Sequence, residues 1–88
     1  MADYQVTCIV HGGDPDQHID RIGGYDWQDS SDNVIRSIQT GEHRFYTSVA
    51  GQSVWVVVKQ HPTTGRNYLT TESDGFPPNN LLSLPRCQ

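Results

Sequence analysis

The residues best equipped for chemistry are two cysteines, Cys8 and Cys87, and four histidines, His11, His18, His43 and His61. Two thiolates and two imidazoles make a tetrahedral zinc site when their spacing lets them converge. The chain has neither a Cys-x-x-Cys nor a His-x₃-His pair, and on a strand Cys8 and His11 point to opposite faces. Cys8 therefore reads as a small buried apolar side chain and Cys87 as packing near the tail, with a redox pair between them as the lesser alternative. Asp14, Asp16 and Asp20 place carboxylates in a Gly/Pro-rich loop. They lack the 12-residue frame and terminal glutamate of a calcium loop and read as Asx-turn residues in a solvated loop. Paired carboxylates for glycoside hydrolysis need a cleft for which so short a chain has little room. No Gly-x-Ser-x-Gly elbow, P-loop or dinucleotide fingerprint is present. Ser73 sits in a turn with no histidine nearby in sequence, and His61 before Pro62 reads as a turn residue. The expectation is no catalytic residue, no cofactor and no metal.

A second constellation joins aromatic and basic side chains. Tyr46, Trp55 and Tyr68 fall on the same side of three successive alternating segments, interleaved with Arg44, Lys59 and Arg66. Aromatic side chains on a sheet, ringed by cations, hold single-stranded nucleic acid by stacking and phosphate contacts. The competing reading covers these rings with the leucines of the C-terminal segment and leaves the basic heads at the rim. Residues 54–58, Val-Trp-Val-Val-Val, are apolar on both sides, as in a strand with both faces covered, so the covered reading is preferred. Asp74, Asn79 and Asn80 are assigned to anchoring the tail by hydrogen bonds to loop backbone. Leu81, Leu82 and Leu84 are assigned to lying over Trp55 and Val57.

The elements that must position these residues follow from periodicity. Residues 4–10 alternate and are rich in β-formers, so they read as one strand, paired as a hairpin with a second strand at 18–23 across a turn-rich connection. Residues 25–28 read as irregular, with Trp27 placed to pack on the following helix. Ser30 or Ser31 is a credible N-cap, Asp32 suits the first turn, and Gly41 is the expected terminator. Val34, Ile35 and Ile38 recur at helical spacing, and the spacing predicts a helix over 31–40. Strands at 43–49, 53–59 and 66–71 form an antiparallel meander. Its more apolar side (Phe45, Thr47, Val49, Val54, Val56, Val58 and Leu69) receives the helix. The fold class is α+β: an N-terminal β-hairpin, one short helix, a three-stranded antiparallel meander, and a C-terminal tail packed on the sheet.

Eighty-eight residues fit one domain. Hydrophobic residues make up 34% and the mean hydropathy is −0.61, so the core is thin. Residues 1–32 carry seven aspartates against Arg21 alone, whereas residues 33–88 carry five basic and three acidic side chains. That division argues against strong nonspecific DNA binding, which needs clustered cations. No apolar run is long enough for a membrane span, and the N-terminal residues lack a basic head and apolar stretch. The expected place is the cytoplasm, where thiols stay reduced, which counts against a required disulfide.

The pattern of Tyr4, Cys8-Ile9, Ile19, Ile22-Gly23-Gly24, Val34-Ile35, Ile38, Gly41, Phe45-Tyr46, Tyr68-Leu69-Thr70, Asp74 and the ending Asn79-Asn80-Leu81-Leu82-x-Leu84-Pro85-x-Cys87 resembles the small prokaryotic family of domain of unknown function 3892. The resemblance covers almost the whole chain. It implies one free-standing domain of mixed α and β type and carries over no catalytic residue. The functional expectation is a small non-catalytic binding or accessory module, with a protein partner, monomeric or homodimeric through exposed strand edges. Two alternatives stand beside it: a single-stranded nucleic-acid binder using the aromatic and basic face, and an inhibitor whose acidic N-terminal half competes with nucleic acid for a basic protein.

Overall fold

The computed structural model describes residues 2–12, 19–49, 51–72 and 79–87. It is an α+β fold with one helix of ten residues and two sheets. Strands β1 (Ala2–Gln5), β5 (His43–Val49), β6 (Gln52–Gln60) and β7 (Asn67–Thr71) form a mixed four-stranded sheet in the order β1-β5-β6-β7. Strands β2 (Cys8–His11), β3 (Ile19–Gly23) and β4 (Gln28–Ser30) form an antiparallel three-stranded sheet. Helix α1 (Ser31–Thr40) and a single turn, α2 (Asn79–Leu82), complete the elements.

The N-terminal segment is not one strand. It changes sheets between adjacent residues: the Val6 amide donates to the Tyr46 carbonyl at 2.8 Å and the Thr7 amide to the Gly23 carbonyl at 2.8 Å. The crossing reverses the parity of the chain. Val6 and Ile9 would face opposite ways along a straight strand, yet both are buried. β1 then runs parallel to β5, pairing Asp3 with Arg44 and Gln5 with Tyr46. β2 pairs antiparallel with β3, Ile9 facing Ile22, so the expected hairpin is present with its first strand halved. The connection carrying Asp14, Asp16 and His18 lies outside the described residues.

Helix α1 has the bounds that its caps dictate. The Ser30 hydroxyl accepts the Asn33 amide at 3.3 Å, and Asp29 accepts the Asn33 side-chain amide at 2.9 Å. Gly41, at φ 76°, turns left-handed and donates to the Ile38 carbonyl while Glu42 donates to Ser37, the two bonds that close a helix over a C-terminal glycine. Ser31 is buried and its hydroxyl donates to the Ile19 carbonyl, which ties α1 to β3. β4 was not expected. Its three residues, Gln-Asp-Ser, carry no β pattern and are held by pairing with β3. Trp27, beside it, packs on the rings of Tyr4 and Phe45, centroids 5.5 Å away in each case.

The meander forms as expected, with Tyr46 opposite Trp55 and Val58 opposite Leu69. Its inner side meets α1 and the smaller sheet in a core built on Val6, Ile9, Ile19, Ile22, Val34, Ile35, Phe45, Val56 and Leu69. The tail joins that same core. Leu81 is fully buried in it, and Leu82 and Leu84 pack against it. The expectation that these leucines cover Trp55 and Val57 is therefore corrected. α2 touches β7 and β2 rather than the outer side of the meander. The reason is backbone as well as side chain: Ile9 donates to the Pro85 carbonyl and accepts from the Cys87 amide, both at 3.0 Å, so the tail extends the small sheet beyond β2.

A disulfide joins Cys8 and Cys87, Cα atoms 4.9 Å apart. This corrects the reading of two independent packed thiols. The sequence shows two cysteines far apart, and only the pairing of the tail with Ile9 brings them side by side. The Asn80 side-chain amide donates to the Thr71 hydroxyl at 3.1 Å. Asp74 and the side chain of Asn79 lie outside the described residues.

Candidate functional site

With the tail on the inner side, the outer side of the four-stranded sheet carries Arg44 and Tyr46 from β5, Trp55, Val57 and Lys59 from β6, and Tyr68 from β7. Strand alternation puts them there, and the register pairs Tyr46 with Trp55 and Lys59 with Tyr68. Tyr46, Trp55, Val57 and Tyr68 are half-buried, and Arg44 and Lys59 are exposed. Toward β7 the face closes, since Thr70, opposite Val57, is fully buried. Arg66 is not on the face by strand geometry. It ends the β6–β7 turn, its amide donating to the Thr64 hydroxyl and its carbonyl accepting from His61. That turn is organised by His61, whose Nδ1 accepts the amides of Thr63 and Thr64, the turn role expected of it.

Three of the six expected surface residues form one cluster. The Arg44 guanidinium lies 4.6 Å over the Trp55 ring, and Tyr46 meets Trp55 edge-to-face with centroids 6.0 Å apart. Asp3, from the neighbouring β1, receives Arg44 through two bonds, Nε to Oδ1 at 3.0 Å and a terminal nitrogen to Oδ2 at 3.2 Å. Lys59 and Tyr68 stand apart from this cluster, four residues further along β6 from Trp55 and so about 13 Å away at the strand rise. Asp3 is a site residue that sequence reasoning missed. Its partner is 41 residues distant, and only the parallel pairing of β1 with β5 joins them.

Two open grooves flank Trp55. One, of about 390 Å³, is lined by Asp3, Tyr46, Ser53, Val54 and Trp55. The other, of about 380 Å³, runs past Arg44 and Trp55 to Val57, Glu72 and Gly41. A smaller hollow of about 200 Å³ lies over the Tyr4, Trp27, His43 and Phe45 cluster. All three are open to solvent and are lined by rings and, beside Trp55, by the Arg44 and Asp3 charges. The sulfurs of Cys8 and Cys87 are bonded to each other, and among the described residues no three His, Cys, Asp or Glu side chains gather around a common point. Ser73, beside Asp74, lies outside the described residues.

Residues 5–85 match the model of a family described as a protein of unknown function, DUF3892. Neither the curated proteins nor the solved structures contain a match.

Proposed function

This chain belongs to the DUF3892 family, which brings no activity with it, and we propose that it is a small non-catalytic binding module that docks a protein partner on the outer face around Trp55. The observation that carries this reading is the placement of the leucine-rich tail on the inner side, which leaves Tyr46, Trp55 and Val57 half-exposed on the other. Trp, Tyr and Arg are the side chains over-represented where truncation costs a protein complex most, and here Arg44 and Tyr46 both meet Trp55.

A protein partner is favoured over single-stranded nucleic acid by what Arg44 does. Its guanidinium occupies one side of the Trp55 ring, where a base would stack, and its charge is answered by Asp3. A net charge of −4 also opposes the phosphate attraction on which strand-tracking binders rely.

The test uses the full chain with a photo-crosslinking residue placed at Val57 or at Ser53, against a control at Gln39 on the exposed side of α1. Crosslinks to a discrete protein from the first two positions and not the third are expected, and Trp55→Ala is expected to abolish them. A parallel titration with single-stranded oligonucleotides at low salt reads the alternative. Saturable, salt-sensitive binding that Trp55→Ala removes transfers the face to nucleic acid.

A further inference from the structure

The Cys8–Cys87 disulfide occupies a particular place. It joins the first residue of β2 to the end of the segment that pairs with β2. α2 is four residues long, too short to persist by itself. Among the described residues, backbone bonds tie Pro85 and Cys87 to Ile9, the Asn80 side chain bonds Thr71, Leu81 is buried, and Leu82 and Leu84 pack partly exposed beside it. Nine of the ten residues of the buried apolar cluster lie outside the segment, in β2, β3, β5, β6, β7, α1 and the Val6 crossing. Most of the core thus lies outside the tail, which adds Leu81 to it, and the disulfide completes the tail's fastening.

We propose that Cys8–Cys87 is a redox latch, opened by a dithiol reductant, which releases residues 79–87 and uncovers the free edge of β2 while the remaining fold persists. Cys8 is half-buried and Cys87 only 8% exposed, so the incoming thiolate attacks Cys8 Sγ. The Cys8–Cys87 bond breaks, and Cys87 leaves as a thiolate and takes up a proton. A mixed disulfide joins Cys8 to the reductant. The second thiol of the reductant then attacks its own sulfur in that mixed disulfide and expels the Cys8 thiolate, which is protonated in turn. The chain gains two electrons and two protons, and the dithiol becomes a disulfide. Once open, the Ile9 amide and carbonyl lose their partners in the tail and present a strand edge, and the leucine site between β2 and β7 empties. Where the surroundings keep thiols reduced the latch stands open, and where they oxidise thiols it closes.

Amide hydrogen exchange, read by NMR on the full chain, tests this with and without excess dithiothreitol. In the reduced protein the amides of Ile9, Leu84 and Cys87 are expected to lose nearly all protection, while amides of β6 stay protected by at least about a thousandfold. Cys87→Ser, without reductant, is expected to reproduce the reduced pattern. Tail amides that remain as protected as β6 after reduction would mean that Leu81 alone holds the segment, and the latch is rejected. Collapse of protection throughout the chain, in the reduced protein or in Cys87→Ser, would make the disulfide a staple of the whole fold and reject it equally.

Discussion

Gly24 shows how tightly the aromatic cluster is set. A Cβ there would stand 2.1 Å from Trp27 Nε1 and 2.6 Å from the Gln5 carbonyl oxygen. The ring is a side chain with room to turn only at the expense of its packing on Tyr4 and Phe45, and the carbonyl belongs to β1 and is fixed by the sheet. Gly24→Ala is expected to cost about 1–3 kcal/mol by overpacking, read as a lower denaturation midpoint beside an unchanged Gln39→Ala control. Asn80→Ala removes the bond to Thr71, which is fully buried, and is expected to cost about 1–2 kcal/mol. An unaltered melting temperature would deny Asn80 its anchoring role. Residue neighbours within one meander are legible from alternation alone, which is why the sequence itself groups Arg44, Tyr46 and Trp55. Asp3 was not, because nothing local to it announces a parallel partner. Cys8 and Cys87 were not, because their meeting depends on where the tail lands.

At the scale of elements, legibility followed local signals. α1 carries its own start and stop in Ser30 and Gly41, and its observed bounds, Ser31–Thr40, are those of the caps. β6 and β7 have strong β-formers and a turn between them. The split of the N-terminal strand had no such mark, since Val6-Thr7-Cys8 contains no glycine or proline and the change of sheet shows only in which residues are buried. The leucines of the tail were recognisable as an anchor, but a short apolar run does not say which side of a sheet it will choose. The choice has a measurable consequence. Leu81→Ala is expected to destabilise by about 2–5 kcal/mol, as a cavity in the core does. Trp55→Ala, on the half-exposed outer side, is expected to cost less than half as much while removing the partner. A tail seated over Trp55 would instead make the two losses similar.

At the scale of the whole molecule, the disulfide closes a loop with a sequence separation of 79. Chain-entropy reasoning assigns such a loop about 4 kcal/mol of stability, through restriction of the unfolded state. For a thin core this is a large share of the roughly 5–15 kcal/mol that separates folded from unfolded. Calorimetry is expected to show a melting temperature well below that of the oxidised protein once the bond is reduced, with β-structure retained at lower temperature.

The bond also decides how the chain answers a mechanical load. Tension applied outside Cys8 and Cys87 passes from one to the other through covalent sulfur, so β2 to β7 are shielded and β1 alone, which precedes Cys8, bears it. A tethered oxidised molecule is expected to yield almost no length when pulled. Cleaving the bond makes the chain between the two cysteines, a sequence separation of 79, extensible, adding roughly 270 Å of contour at full extension.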